Sequence, residues 1–301
     1  MTTIIQTSSW GIAAASSTIS ATMPYTSGSV SVAFGTPIQA GNSVLAIAFA
    51  GSRSLPDPIT PKMLGGPVDS GISGLAYTQI YDAPTSDFNN ALKGVCVGIW
   101  EADGVAAGTC GTVVSFTFYP FVSIEGPNSA LAENVMALIL LEVSGGVSPF
   151  QGPGGGSGNY GWNENDDPST NYIPGGYIPP GSGWTYPPNP MGIELGSGVW
   201  SVIGAAITSI GGLIAGEGSV LGPSTPLDIY TCAVQYSMNA TAAAPGVPDY
   251  GVLTPTTADG FSGDATSLWA YVSVYLQEVA IVLGLCGVVK PTGNPYFGEM
   301  L

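Results

Sequence analysis

The sequence predicts an all-β fold, two antiparallel sheets packed as a β-sandwich, and three features carry that expectation. The 301 residues include 44 Gly and 25 Pro, a density of turn formers that in a non-repetitive chain points to many short strands and few helices. Between those turn residues recur short runs rich in β-branched and aromatic side chains. The runs are of two kinds, wholly apolar and cleanly alternating, and two sheets packed face to face accommodate both.

In chain order the strand candidates are Ser29 to Phe34, Ser43 to Ala50, Ala76 to Tyr81, Gly94 to Glu101, Thr112 to Tyr119, Val135 to Val143, Trp200 to Thr208, Ile229 to Met238 and Leu268 to Leu276. Nearly every position of Ser43 to Ala50 and of Val135 to Val143 is apolar, the pattern of a central strand covered on both sides. Thr112 to Tyr119 and Leu268 to Leu276 alternate, as expected when one face meets the core and the other meets solvent or a neighbouring subunit. So many strands need closure or a second sheet.

Residues 1–278 are expected to form one sandwich, with residues 148–190 as an inserted loop and residues 279–301 as a C-terminal arm. The insertion is rich in Gly and Pro and carries Tyr160, Trp162, Tyr172, Tyr177, Trp184 and Tyr186. Such aromatics are large and rigid and lose little entropy when fixed, which suits a contact surface. A linker between two halves explains a loop of this length equally well. The arm opens with an apolar run from Val279 to Val289, and either a neighbouring subunit or the chain's own sandwich would give it a surface.

Only 8% of residues are charged, against about 25% in ordinary domains. The net charge of −16 sets 20 acidic residues against Arg53, Lys62, Lys93 and Lys290, so no basic stripe is available for phosphates, and neither nucleic acid nor an anionic membrane surface is expected as a partner. The first ten residues lack the basic and apolar regions of a secretory leader. Glycines interrupt Val199 to Ala215, the longest uncharged apolar stretch, and no membrane span is expected. Cys96, Cys110, Cys232 and Cys286 stand singly; buried thiols are the default, with a bridge such as Cys96 to Cys110 the alternative.

The chain has no histidine, which removes Ser-His-Asp and Cys-His catalysis and His-ligated zinc. The glycine-rich Gly152 to Gly158 is followed by no lysine that could meet a phosphate. One enzymatic route stays open: Glu101 and Asp103 fall on the same face of a strand end, a carboxylate pair of the kind glycosidases use, with a solvated strand end as the plain reading. The expectation is that the chain is not an enzyme. Calcium is the one cofactor considered, at Asn163, Asp166 and Asp167 or at Asp259 and Asp264, where oxygen ligands concentrate without EF-hand spacing.

Several stretches together resemble the jelly-roll-like β-sandwich module of tailed-phage minor structural proteins. The resemblance rests on Gln39 to Phe49, Gly94 to Trp100, the small-residue turn Gly104 to Gly108, Thr112 to Phe118 and Ala137 to Gly145, with Trp200 to Ile207 and Trp269 to Tyr275 similar to later strands. It departs at Pro67 to Ile72 and in the length of the insertion. The resemblance implies a virion structural protein assembled in the host cytoplasm: a capsid decoration or cement protein, or another accessory head component. Its partners would be copies of itself, as a ring or trimer, and other virion proteins. A tail-fibre or receptor-binding sandwich that stacks a host-surface glycan on the insertion aromatics is the alternative.

Overall fold

The computed structural model describes residues 2–19, 26–52, 59–63, 67–69, 75–83, 95–120, 130–144, 147–149, 159–160, 176–178, 199–208, 212–216, 218–241, 253–255 and 267–278. Among them every regular element is a strand: β1 (Ile4–Thr7), β2 (Gly11–Ile19), β3 (Thr26–Ala33), β4 (Ser43–Ser52), β5 (Ile59–Met63), β6 (Val68–Asp69), β7 (Thr78–Ala83), β8 (Val95–Ala102), β9 (Gly111–Pro120), β10 (Ala130–Val143), β11 (Val147–Pro149), β12 (Asn159–Tyr160), β13 (Gly176–Ile178), β14 (Val199–Thr208), β15 (Leu213–Ile214), β16 (Val220–Leu227), β17 (Tyr230–Thr241), β18 (Thr254–Pro255) and β19 (Ser267–Glu278). The all-β expectation holds, and each of the nine strand candidates falls on a strand. No helix of the described residues is long and apolar enough to cross a membrane.

The strands form several antiparallel sheets. In the first, β10 has β1 and β2 in tandem on one side and β4 on the other, followed by β8 and β7. In the second, β11, β12 and β13 lie in tandem along β19, followed by β14, β17 and β16. Beside these run a smaller sheet in which β9 takes β3 on one side and β5 and β6 on the other, and a β15–β18 pair. Among the described residues, strands before residue 145 and strands after residue 146 do not mix within any sheet.

The two-residue period of a strand decides which side chains meet. Leu45, Ile47 and Phe49 of β4, Val97 and Ile99 of β8 and Val135, Ala137, Ile139, Leu141 and Val143 of β10 point to one core, where they meet Ile203, Ala205 and Ile207 of β14 and Cys232 and Val234 of β17. Their even-numbered neighbours Ala46, Ala48, Trp100, Met136, Leu138 and Leu140 point the other way, onto a second core closed by Val30, Phe34, Ile38, Val105 and Cys110. Both faces of β4 and β10 are therefore covered, which is why those strands are apolar at nearly every position.

Of the four register shifts among the described strands, the two in the second large sheet shape its periphery. Opposite Trp200 to Val202, β17 carries one extra residue, a bulge in which Asn239 adopts a left-handed φ of 55°. There its side chain accepts a hydrogen bond from the Thr2 backbone N–H and donates one to the Thr2 carbonyl, both at 2.8 Å. The next residue, Thr3, is held by Ser144 at the end of β10 through two bonds of 2.8 Å. The N-terminal segment thus ties the second large sheet to the first. The other irregularity, at Gly222-Pro223 of β16, shifts register between Leu221 and Ser224.

Candidate functional site

The inserted segment does more than loop. Its pieces β11, β12 and β13 pair in succession with the same edge: Val147 to Pro149 with Glu278 to Leu276, Asn159 and Tyr160 with Val272 and Tyr271, and Gly176 to Ile178 with Trp269 to Ser267. Three short ladders cover an otherwise open strand edge. Of the aromatics singled out in sequence, Tyr160 lies opposite Tyr271 and Tyr177 opposite Leu268. Trp162, Tyr172, Trp184 and Tyr186 lie outside the described residues, as do Asn163, Asp166, Asp167, Asp259, Asp264 and Cys286.

The Glu101 and Asp103 pair sits at the end of β8 with Ser43 of β4. Glu101 follows Val97 and Ile99 on the face of the large core and is only 3% exposed, whereas Asp103, past the strand end, is exposed. The plain reading of a solvated strand end holds for Asp103 and fails for Glu101. Burial pushes the Glu101 carboxyl up to about 8, and the neighbouring Asp103 charge pushes the same way. Ser43 opposes this in part, but its single hydroxyl proton sits between two carboxyls and its oxygen lies 2.7 Å from Asp103 Oδ1. Oε1 of Glu101 has no hydrogen-bond partner among the described residues. Near neutral pH the group is thus a neutral, enclosed acid. Glycoside hydrolysis needs both carboxyls to reach the scissile bond, and Glu101 is walled in.

A second acid, Glu142 of β10, is fully buried on the opposite face of the same sheet. Its Oε1 accepts from the Gln39 backbone N–H at 2.8 Å and Asn42 Nδ2 at 2.6 Å, and its Oε2 accepts from Gln6 Nε2 at 2.5 Å. Charge-assisted bonds of this kind are what make a buried carboxylate tolerable. They pin β1 and the turn before β4 onto β10, so the Glu142 carboxylate is committed to structure. Cys96, Cys110 and Cys232 are buried thiols; burial, with Cys96 nearby, pushes the Cys232 thiol well above its ordinary value, which makes it a poor nucleophile.

The remaining feature is apolar surface. β16 is the outer strand of the second large sheet and exposes Val220 and Leu221, with Ile229 exposed in the turn that follows. Ile214 of β15 is half-exposed close by, because Gly216 N–H donates to Gln235 Oε1 at 2.9 Å and Gln235 lies opposite Leu221. Pro223 and Pro226 interrupt the backbone donors of β16, which discourages a further strand from adding there. Side chains, more than backbone, are what this edge offers. Comparison with protein-family models, curated proteins and solved structures finds no match to the chain.

Proposed function

We propose that this chain is a virion structural protein, a phage capsid decoration or cement protein or another accessory head component, which works through contacts with copies of itself and with other coat proteins. In this reading it is a two-sheet, jelly-roll-like antiparallel sandwich that serves as a rigid block. The observation that carries the reading is the pair of exposed apolar side chains that opens the edge strand β16, Val220 59% and Leu221 41% exposed, in a chain that is only 8% charged. Apolar groups set along one edge serve a protein that covers them with a neighbour better than one that stays alone.

Co-sedimentation with purified capsids that lack the protein tests the reading. Saturable binding at a fixed number of copies per capsid, weakened by Val220→Lys with Leu221→Lys, is expected; a protein that stays in the supernatant overturns it. The receptor-binding alternative draws on β12 and β13, whose pairing with β19 fixes the backbone at Tyr160 and Tyr177. A glycan panel decides that alternative, with Trp162→Ala and Trp184→Ala as the variants that should abolish any sugar signal.

A further inference from the structure

We propose that the chain is a fused pair of one β-module, residues 2–144 and residues 147–278, whose large sheets meet across the shared core.

The two large sheets have the same connectivity. In each, a central strand (β4, β14) pairs on one side with the last strand of its half (β10, β19) and on the other with the third (β8, β17), which pairs with the second (β7, β16). In each, the outer edge of the last strand is taken by short pieces that precede the central strand: β1 and β2 in one half, β11, β12 and β13 in the other. The small sheets repeat the theme, since β5 follows β4 and pairs with β9, and β15 follows β14 and pairs with β18. An order of last, first, third and second is not the product of simple hairpins, so its recurrence argues for duplication.

Register carries the match to single residues. Ser43 lies opposite Val143 and Ser201 opposite Leu276; Leu45 sits between Leu141 and Glu101, and Ile203 between Val274 and Tyr236. Superposing these positions sets Ser43-Val-Leu-Ala-Ile-Ala-Phe-Ala50 on Ser201-Val-Ile-Gly-Ala-Ala-Ile-Thr208, which keeps the Ser, the Val and one Ala in place. Both serines use their hydroxyls on the end of the third strand: Ser43 on Asp103, next to Gly104 with φ 57°, and Ser201 on the N–H of Asn239 with φ 55°.

Matched positions also face the same core, as Leu45 and Ile203, Phe49 and Ile207, and Ile99 and Val234 all do. Across the shared core β7 lies against β19 and their counterparts β16 and β10 lie against each other, while β8 also lies against β14 and β19, which β17 does not repeat to the same extent with β4 and β10 among the described residues. Among the described residues, those of the second core all belong to the first module. In the second, Ala206, Thr208, Ala233 and Gln235 are buried on the face away from the shared core, where Gly216 bonds Gln235.

The test cuts the full chain after folding, at a protease site inserted between Gly154 and Gly155, and follows the nicked protein in urea by sedimentation and far-ultraviolet circular dichroism. The expected result is one species at the intact mass in buffer. At intermediate urea the fragments then part with their strand signal retained, at a midpoint that rises with protein concentration. Phe49→Ala and Ile207→Ala, at matched positions, should each lower that midpoint, while Trp100→Ala should lower the later unfolding step of the first fragment. Fragments that separate in buffer, or a single concentration-independent transition in which association and strand signal vanish together, would overturn the proposal.

Discussion

The period of two that builds the sheets also decides the fate of the acids. Glu101 continues the Val97, Ile99 series into the core, and its carboxyl, ordinarily near 4.5, rises to about 8 in the folded chain. A folded value above the unfolded one means the native state holds the extra proton between those limits. Stability from Glu101 is therefore fully present below about 4.5 and is lost as pH rises through about 8. Urea unfolding from pH 5 to 8 should show stability falling by at most ~1.4 kcal/mol per unit from this group, and Glu101→Gln should flatten that slope. Glu142 accepts hydrogen bonds from three donors, Gln6, Gln39 and Asn42. Glu142→Ala strands them and should cost about 3 kcal/mol in the same assay. At Gly51 a Cβ would fall 2.4 Å from the Tyr230 ring, so Gly51→Ala should cost roughly 1 to 3 kcal/mol by overpacking.

At the scale of elements, the bulge in β17 is the joint between the large sheets. Asn239→Ala removes both bonds to Thr2 and places a residue ill suited to φ 55° in the bulge. It should lower stability by about 2 kcal/mol and free the N-terminal amides to exchange with solvent, which hydrogen exchange reads directly. Apolar periodicity made the central strands legible, β4, β8, β10, β14, β17 and β19 among them. It could not show β2, whose Ala and Ser residues carry little strand preference, nor β16, which holds Gly222, Pro223 and Pro226 and persists because it lies at an edge. The strand pieces of the insertion were illegible for another reason: each is held by β19, far away in sequence, and not by local preference. Glu101 was half legible, since its parity with Val97 and Ile99 marks it as inward, whereas a strand end suggests solvent.

For the whole molecule, sequence pattern gave the strand inventory but not the pairing of like with like. The Ser43 and Ser201 segments are related closely enough to notice only once register superposes them, because elsewhere the two halves fill matched positions with different side chains, Glu101 against Tyr236 for example. Among the described residues β16 is the outer strand of the second large sheet, and it exposes Val220 and Leu221. Everything proposed about function turns on whether that edge is covered in solution by another copy. Sedimentation velocity of the intact protein over a range of concentrations asks this most directly. The account predicts a species above the monomer that grows with concentration and reverts to monomer in Val220→Lys with Leu221→Lys; a monomer at every concentration, or an oligomer indifferent to those two substitutions, would contradict it.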